Sequence, residues 1–438
     1  MKKGIKNTMM LLLLLWSSAM FSQEVLTLQE CVDKAIKHSK QLKMAENNIE
    51  KATYQRKEIL SNLWPKINGT VDYKYYFDLP TQLMPAKAFN PMAPEWQFKP
   101  AQFGVPHNIN ANVQVGMPLF NPDLISGLKI SKVAIELQEL NYQKSKEDTY
   151  VLISNLYYNA QIIKNQIEFT EKNINNLNKL LQDLKLFYEQ KMVTKNDVDK
   201  VALQVSKLDV NLKMLHQKYD EIRNALKLNM GVSNDFEVSS NIINPEPKTY
   251  MPKSNTNELL LEKKIELSDN EIKKLKRSRL PRLSAFGSYG SIGYGYDEKP
   301  HDFLDFYDVS LVGVKLEIPV FDFSKRRQIQ QKKIDKENAR LQLDLVKEKN
   351  AMDIKNARQK LAVQLQIIQN QKEQMALAKS VYDKTLLQHK QELVSLSDVL
   401  LAENEMIKAQ QDYLSSIVTY LKTDLELKKL TGNLVPKN

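Results

Sequence analysis

The sequence lacks most of the features on which enzymes and disulfide-rich domains depend. Its 438 residues include a single cysteine, Cys31, so no disulfide can form within the chain. The five histidines are scattered, no glycine-rich phosphate loop joins a predicted strand to a helix, and no nucleophile motif is recognisable. We therefore expect no catalytic, cofactor-binding or metal site.

Glycine and proline are missing from two long tracts. The chain has 12 Gly and 16 Pro, yet neither residue occurs within positions 128–230 or 320–431. Because these residues are the usual helix breakers, the tracts predict long helices. Within residues 167–188 and 198–226, apolar side chains recur at steps of three and four, which is typical of coiled coils. The first tract therefore predicts an antiparallel pair of helices with a turn near residues 191–197.

A long hydrophobic run is also missing after the first 22 residues. Those residues place Lys2, Lys3 and Lys6 before a short apolar run and three small side chains, which is typical of a cleavable export signal. The mature chain is expected to begin near Gln23. No later uncharged stretch is long enough for a transmembrane helix, so a membrane crossing would require a β-barrel.

Four segments do alternate apolar and polar side chains, as strands do. They lie at about residues 66–77, 107–118, 282–295 and 308–319. Each is roughly ten residues long, the length of a tilted transmembrane strand. Two hairpins of a soluble sheet would have the same pattern. Four strands cannot close a barrel alone, so a membrane protein of this kind would need several copies of the chain.

The chain also repeats itself at a constant offset of 201 residues. Pro118 and the Leu-Phe-Asn after it return as Pro319 and Val-Phe-Asp. The predicted turn returns as well, with Met192-Val193-Thr194 and Asp197 matched by Leu393-Val394-Ser395 and Asp398. An unchanged offset leaves little room for insertions. We predict a first repeat at 23–240, a proline-rich linker at 241–256, a second repeat at 257–433 with its tip near 391–398, and a tail at 434–438.

In their order and duplication these motifs resemble the TolC-like outer-membrane factors, also called outer membrane efflux proteins, over nearly the whole mature chain. The resemblance implies a mainly α fold with a β-barrel part, in which each chain has two tandem repeats of long coiled-coil α-hairpins and four strands. Three chains would form a 12-stranded outer-membrane barrel continued by a periplasmic helical barrel. Such a homotrimer sits in outer-membrane lipid and serves as the exit duct of a tripartite efflux pump or type I secretion system. Its partners would be a periplasmic adaptor (membrane fusion) protein and an inner-membrane transporter of the RND, ABC or MFS type.

The same resemblance assigns roles to particular residues. The adaptor-docking tips would be Met192, Val193, Thr194, Leu393, Val394 and Ser395, and the strand–helix corners Pro118 and Pro319. Asp197 and Asp398 would either cap helices or form a periplasmic gate. The family usually has glycine where Lys191 and Glu392 stand, and some members have a second tip acid, for which Glu403 would be only a loose substitute.

Two further expectations concern loops and charge. The segment between the first two strands is rich in proline and carries Trp96, Phe98 and Phe103, which favours an extended, rigid loop able to contact lipid headgroups or cover a pore mouth. The acidic loop at 294–308 is expected to be solvated rather than to bind a divalent metal, because its acidic residues show no fixed ligand spacing. The net charge of +11 leaves a second hypothesis, a secreted periplasmic coiled-coil scaffold or tether that binds acidic polymers. Its charges are interleaved along the helices, so we expect no nucleic-acid partner.

Overall fold

The computed structural model describes residues 24–242, 245–296 and 305–434. The predicted export signal, most of the acidic loop and the last four residues of the tail lie outside these ranges. The described chain divides into two compact units. Unit A contains the residues up to Asn48, Glu139–Leu260 and the residues from Gln342 onward, whereas unit B contains Ile49–Gln138 and Leu261–Leu341.

Seven α-helices account for most of the described residues, and the four longest occupy almost all of the two tracts that lack glycine and proline. They are α1 (Leu28–His38), α2 (Lys40–Ser61), α3 (Pro122–Glu189), α4 (Lys195–Met230), α5 (Thr256–Arg277), α6 (Phe323–Lys390) and α7 (Leu396–Leu430). No helix in the described ranges is long and apolar enough to cross a membrane.

The first helical segment is not continuous, because it breaks at Ser39 between α1 and α2. That residue has an extended backbone, with φ −63° and ψ 123°. The carbonyl of His38 lies so close to Gly231 that a Cβ there would come within 2.6 Å of the carbonyl oxygen. The break thus coincides with close contact between the ends of α1 and α4, and only glycine fits at that contact.

Unit A has a core that includes a parallel strand pair, β1 (Glu24–Leu26) with β6 (Phe236–Val238), which the sequence did not predict. Cys31 is fully buried beside it, and burial raises the pKa of its thiol to about 12. This agrees with a packed, unreactive cysteine. The described part of the linker carries no helix or strand before Thr256, where α5 begins, but Tyr250 of the linker donates a hydrogen bond to Asp424 at 2.8 Å.

Unit B contains a four-stranded antiparallel sheet in the order β2-β5-β7-β8. Its strands are β2 (Lys66–Tyr75), β5 (His107–Phe120), β7 (Arg282–Gly295) and β8 (Asp305–Glu317), close to the four predicted segments. Along β2 and β5 the register places polar residues opposite polar ones, as with Thr70 and Asn112, and apolar opposite apolar, as with Val71 and Ala111. Alternation within each strand therefore gives the sheet one polar and one apolar face.

Glycines in the sheet lie beneath side chains or backbone of the neighbouring strand. A Cβ at Gly313 would come within 2.7 Å of the Phe286 ring, and one at Gly290 within 2.5 Å of the Ala111 carbonyl oxygen. Gly69, in contrast, has nothing within 4 Å of its Cβ position. At Gly290 of β7 and Gly313 of β8, the neighbouring strand thus occupies the space that a side chain would fill.

The two corners are capped in the same way. Pro118 lies within β5, next to a register irregularity between Pro118 and Phe120, whereas Pro319 follows the end of β8. After them, Asn121 accepts hydrogen bonds from the amides of Asp123 and Leu124 at 3.0 and 3.3 Å, and its repeat counterpart Asp322 accepts one from Lys325 at 3.2 Å. The repeated Asn/Asp therefore starts each long helix.

The proline-rich loop is more ordered than an extended segment. It forms an antiparallel ribbon of β3 (Thr81–Pro85) and β4 (Phe98–Gln102), with a short 3₁₀ turn at Ala86–Ala88. Prolines at both ribbon strands, Pro85 and Pro100, did not prevent this pairing, because an isolated two-stranded ribbon leaves half of its backbone groups without any ladder partner. Trp96 between the strands remains 87% exposed.

Candidate functional site at the hairpin tips

The candidate site lies in unit A, where α3 turns into α4 and α6 turns into α7. Each turn begins with a residue in the left-handed conformation, Lys191 at φ 61° and Glu392 at φ 60°. The amide of Met192 donates to the carbonyl of Phe187 at 2.9 Å, and that of Leu393 to Gln388 at 3.0 Å. The amides of Lys191 and Glu392 also donate, each to the carbonyl three residues earlier in the chain. The two bonds at each turn together form a Schellman motif.

Lys191 and Glu392 therefore have the left-handed backbone conformation that glycine usually has in this motif. The C-terminal ends of α4 and α7 use the same motif with Gly231 at φ 67° and Gly432 at φ 66°. A residue with a Cβ is less stable in this conformation by roughly 1–2 kcal/mol. The departure from the family pattern at Lys191 and Glu392 thus leaves the turn type unchanged and adds local backbone strain.

The next helices begin with matching capping boxes. Thr194 and Ser395 are the N-cap residues, and their hydroxyl groups accept from the amides of Asp197 and Asp398 at 3.3 Å. Each aspartate in turn accepts from the hydroxyl of its partner at 2.6 Å. The hydrogen bonds from Thr194 and Ser395 hold the pKa of Asp197 and Asp398 below its ordinary value. Both carboxylates are therefore charged at neutral pH, and both contribute to helix capping.

The other predicted tip residues differ in exposure. Met192 is 58% exposed and Leu393 is 69% exposed, so both offer apolar surface to a partner. Val193 is half-buried against the hydrophobic cluster below the turn, and Val394 is half-buried with its carbonyl accepting from His389 Nδ1 at 2.9 Å. Met192 and Leu393 are thus the exposed apolar side chains of the two turns, while Val193, Thr194, Val394 and Ser395 chiefly shape the turns.

Below the turns, one hydrophobic cluster joins the two hairpins. We call it the tip cluster; its buried members are Leu177, Leu180 and Leu184 of α3, Val201 and Leu208 of α4, Tyr382 of α6, and Leu396, Val399, Ala402 and Met406 of α7. Polar contacts also cross between the hairpins. Gln204 donates to Asn404 at 2.9 Å, Asn173 donates to Gln410 at 3.1 Å, and Lys390 lies 3.5 Å from Asp183.

Sequence reasoning missed the position of Glu403. It was considered only as a substitute for an acid on the open tip, but its side chain is 1% exposed and lies among tip-cluster residues of α7. The signal was present in the spacing, because Leu396, Val399, Glu403 and Met406 step by three, four and three along one helical face. Within the described ranges, no group of three His, Cys, Asp or Glu is placed to hold a metal ion.

Two duplicated helical hairpins and a four-stranded antiparallel sheet define the class of protein. No family model and no curated protein matches the sequence. Solved structures do match it. CusC, from a study of folding and transmembrane channel formation, has 12% identity and a TM-score of 0.73 over 92% of this chain and 91% of its own.

Two more solved structures have the same fold. The outer membrane channel CmeC of Campylobacter jejuni has 14% identity and a TM-score of 0.71 over 93% of this chain and 86% of its own. The outer membrane protein VceC of Vibrio cholerae has 12% identity and a TM-score of 0.70 over 92% of this chain and 96% of its own. The predicted fold of the single chain, mainly α with four long strands, is thus confirmed: this chain has the fold of the TolC-like outer-membrane channels.

Proposed function

We propose that this protein is the outer-membrane exit duct of a tripartite efflux pump or type I secretion system. Substrates would pass through it passively, driven by an inner-membrane transporter of the RND, ABC or MFS type and delivered through a periplasmic adaptor. The duct would span the outer membrane and extend into the periplasm. The fold shared with outer-membrane channels supports this function.

The observation that carries the proposal is the sheet in unit B. Strands β2 and β8 each have one neighbour in the described sheet, so both edges are open. The apolar face is exposed, with Ile67 at 69%, Val71 at 76% and Val314 at 63%. Lipid tolerates an apolar face but not unpaired backbone groups, so the edges must pair with other copies. Three copies would contribute twelve strands, and the polar face would line the lumen.

Adjacent residues on β2 provide a matched test. In the proposed barrel, Val71→Arg places a charge toward lipid, whereas Thr70→Arg places it in the lumen. A cation on the lipid face of a barrel costs about 2–4 kcal/mol near the midplane. We expect Val71→Arg to reduce the heat-modifiable trimer in the outer-membrane fraction, and Thr70→Arg to assemble and alter single-channel conductance. A soluble monomer or dimer from the unmutated full-length chain would contradict the proposal and favour the scaffold hypothesis.

The partner assignment has its own test. Met192 and Leu393 are the most exposed apolar residues of the two turns, so they are the proposed contacts for the adaptor. A photo-crosslinking side chain at either position should capture the adaptor encoded with the native pump. The paired substitution Met192→Glu and Leu393→Glu should abolish export and co-purification of the adaptor but leave the trimer intact. Export that survives the paired substitution would remove these residues from the docking surface.

A further inference from the structure

Glu403 occupies an unusual position for a carboxylate. It lies on the buried face of α7, one helical turn from both Val399 and Met406, which are 0% and 4% exposed. In the other repeat the corresponding position, 201 residues earlier, is Ala202. The carboxylate is therefore a property of one hairpin only, and neither capping nor docking accounts for it.

Within the described chain, the side chain has no charged partner, and the Gln204 amide is the one group that favours its ionised form. Neither oxygen of Glu403 has a hydrogen bond from any residue of the described ranges. The amide of Gln204 on α4 donates one N–H to Asn404, and its proximity to Glu403 lowers the pKa of that carboxyl less than burial raises it. Removing a carboxylate from water without a partner strongly disfavours ionisation. Burial accordingly raises the pKa of Glu403 to about 7.

The surroundings contain no compensating charge. From α6, the facing titratable group is Tyr382, whose pKa is raised to about 12 by burial and secondarily by Glu403, so its phenol remains protonated. From α4 the facing polar group is Gln204, and α3 contributes Leu177, Leu180 and Leu184 to the same cluster. The nearby charged side chains are exposed at the surface: Lys179 and Lys185 of α3, Lys207 of α4, Lys379 and Asp383 of α6, and Glu405 and Lys408 of α7. The partly buried Asp183 and Lys200 are paired with Lys390 and Asp197.

We propose that Glu403 is a proton-controlled latch, which holds the two hairpin tips together when protonated and releases them when ionised. In the packed arrangement the neutral carboxyl group is buried between α4, α6 and α7. Ionisation requires water or a cation at the charge, and the nearest way to admit either is to separate α7 from α4 beside the Gln204–Asn404 hydrogen bond. The latch concerns the packing of the hairpins; its effect on a gate rests on the proposed duct function.

The direction in which pH changes the packing of the hairpins follows from proton linkage. The packed state binds the proton more tightly than a separated state in which Glu403 has its ordinary pKa of 4.5. Packing is therefore favoured at low pH and weakens as pH rises through about 7. For a separated state with the ordinary pKa, the separation equilibrium should increase about tenfold between pH 6 and pH 8.

Hydrogen exchange on the full-length assembled protein tests the latch. After correction for intrinsic rates, amides of α7 within the tip cluster should exchange about tenfold faster at pH 8 than at pH 6. In Glu403→Gln, which keeps the shape and removes the charge, this excess should vanish. The matched control Glu405→Gln, an exposed glutamate two residues away, should behave like the unmutated protein.

An infrared titration gives a direct and independent readout. A protonated carboxylic C=O band that disappears near neutral pH should be present in the unmutated protein and absent in Glu403→Gln. A band that titrates near pH 4.5, or corrected exchange in the unmutated protein that does not change from pH 6 to 8, would overturn the latch even if the variant failed to assemble.

Conductance separates the latch from the duct. In planar bilayers the open probability should rise with pH in the unmutated protein and stay flat in Glu403→Gln. Titrating exchange without any channel activity would support the latch and contradict the proposed duct. Channel activity together with pH-independent exchange would support the proposed duct and contradict the latch.

Discussion

Replacement of Glu392 by glycine should stabilise the second hairpin turn, for two reasons that can be separated. Glu392 has a left-handed backbone at φ 60°, and it places a negative charge just beyond the C-terminal end of α6. Glycine removes the Cβ strain of roughly 1–2 kcal/mol, offset by about 0.5–1 kcal/mol of extra freedom in the unfolded chain. Removal of an acid from a helix C-terminus adds about 0.3–1 kcal/mol. The expected gain is therefore about 1.4 kcal/mol, within limits of roughly 0.3 and 2.5 kcal/mol, or about a tenfold change in the local opening equilibrium.

Matched variants divide this gain between its causes. Glu392→Ala removes the charge but keeps the Cβ, so it should give only the electrostatic part. Lys191→Gly relieves the same strain at φ 61° but removes a favourable charge from the end of α3, so its net effect should be close to zero. Gly432→Ala introduces the strain at φ 66° and brings a Cβ within 3.2 Å of the Ser254 carbonyl oxygen, so it should loosen the end of α7.

The amide of Leu393 provides the assay, because it donates the longer Schellman bond to Gln388 and is released when the turn opens. In native-state hydrogen exchange at fixed pH, this amide should exchange most slowly in Glu392→Gly, faster in Glu392→Ala and fastest in the unmutated protein. Equal protection in the glycine and alanine variants would refute the strain argument, because alanine retains the Cβ that glycine removes.

Three other predictions follow from the described contacts. Asp398→Lys should change the cation block of single-channel current if the carboxylate faces the aperture. The control Ser395→Ala removes the helix cap and keeps the charge, so it should loosen α7 and leave the block unchanged. Unaltered block in Asp398→Lys with lowered thermal stability would reject the gate. Gly290→Ala should impair outer-membrane assembly far more than Gly69→Ala, since only the first places a Cβ within 2.5 Å of a neighbouring carbonyl; equal assembly of the two would contradict the described register. Tyr250→Phe should lower the thermal stability of the assembled protein, because it removes the hydrogen bond to the buried Asp424. Lys428, at 3.2 Å from Asp424, then satisfies that carboxylate only in part. An unchanged melting temperature would show that this hydrogen bond does not fix the linker to α7.

Much of the fold could be predicted because helix breakers and period-two patterns act locally. The two tracts without glycine and proline do form long helices, and the turn predicted near residues 191–197 lies between α3 and α4. The repeat also indicated the positions of the tips. Thr194 and Ser395 stand three residues before Asp197 and Asp398, which is the spacing of a capping box at the start of a helix.

The features that escaped prediction depend on contacts between distant residues. The parallel pair β1–β6 joins three-residue strands more than 200 residues apart, too short for any periodicity to be visible. The break at Ser39 has no glycine or proline to announce it. Burial of Glu403 depends on which face of α7 packs inward, and its heptad spacing was outweighed by the expectation that an acid near a tip faces solvent.

The open edges of the sheet also have a genetic consequence. In the proposed trimer each β2 must pair with the β8 of another copy, so a defect at one edge is shared by the whole assembly. A cell that makes equal amounts of normal and edge-damaged chains would build roughly one in eight of its trimers from normal chains alone. Mutations in β2 or β8 should therefore be dominant, whereas a chain that fails before assembly should be recessive.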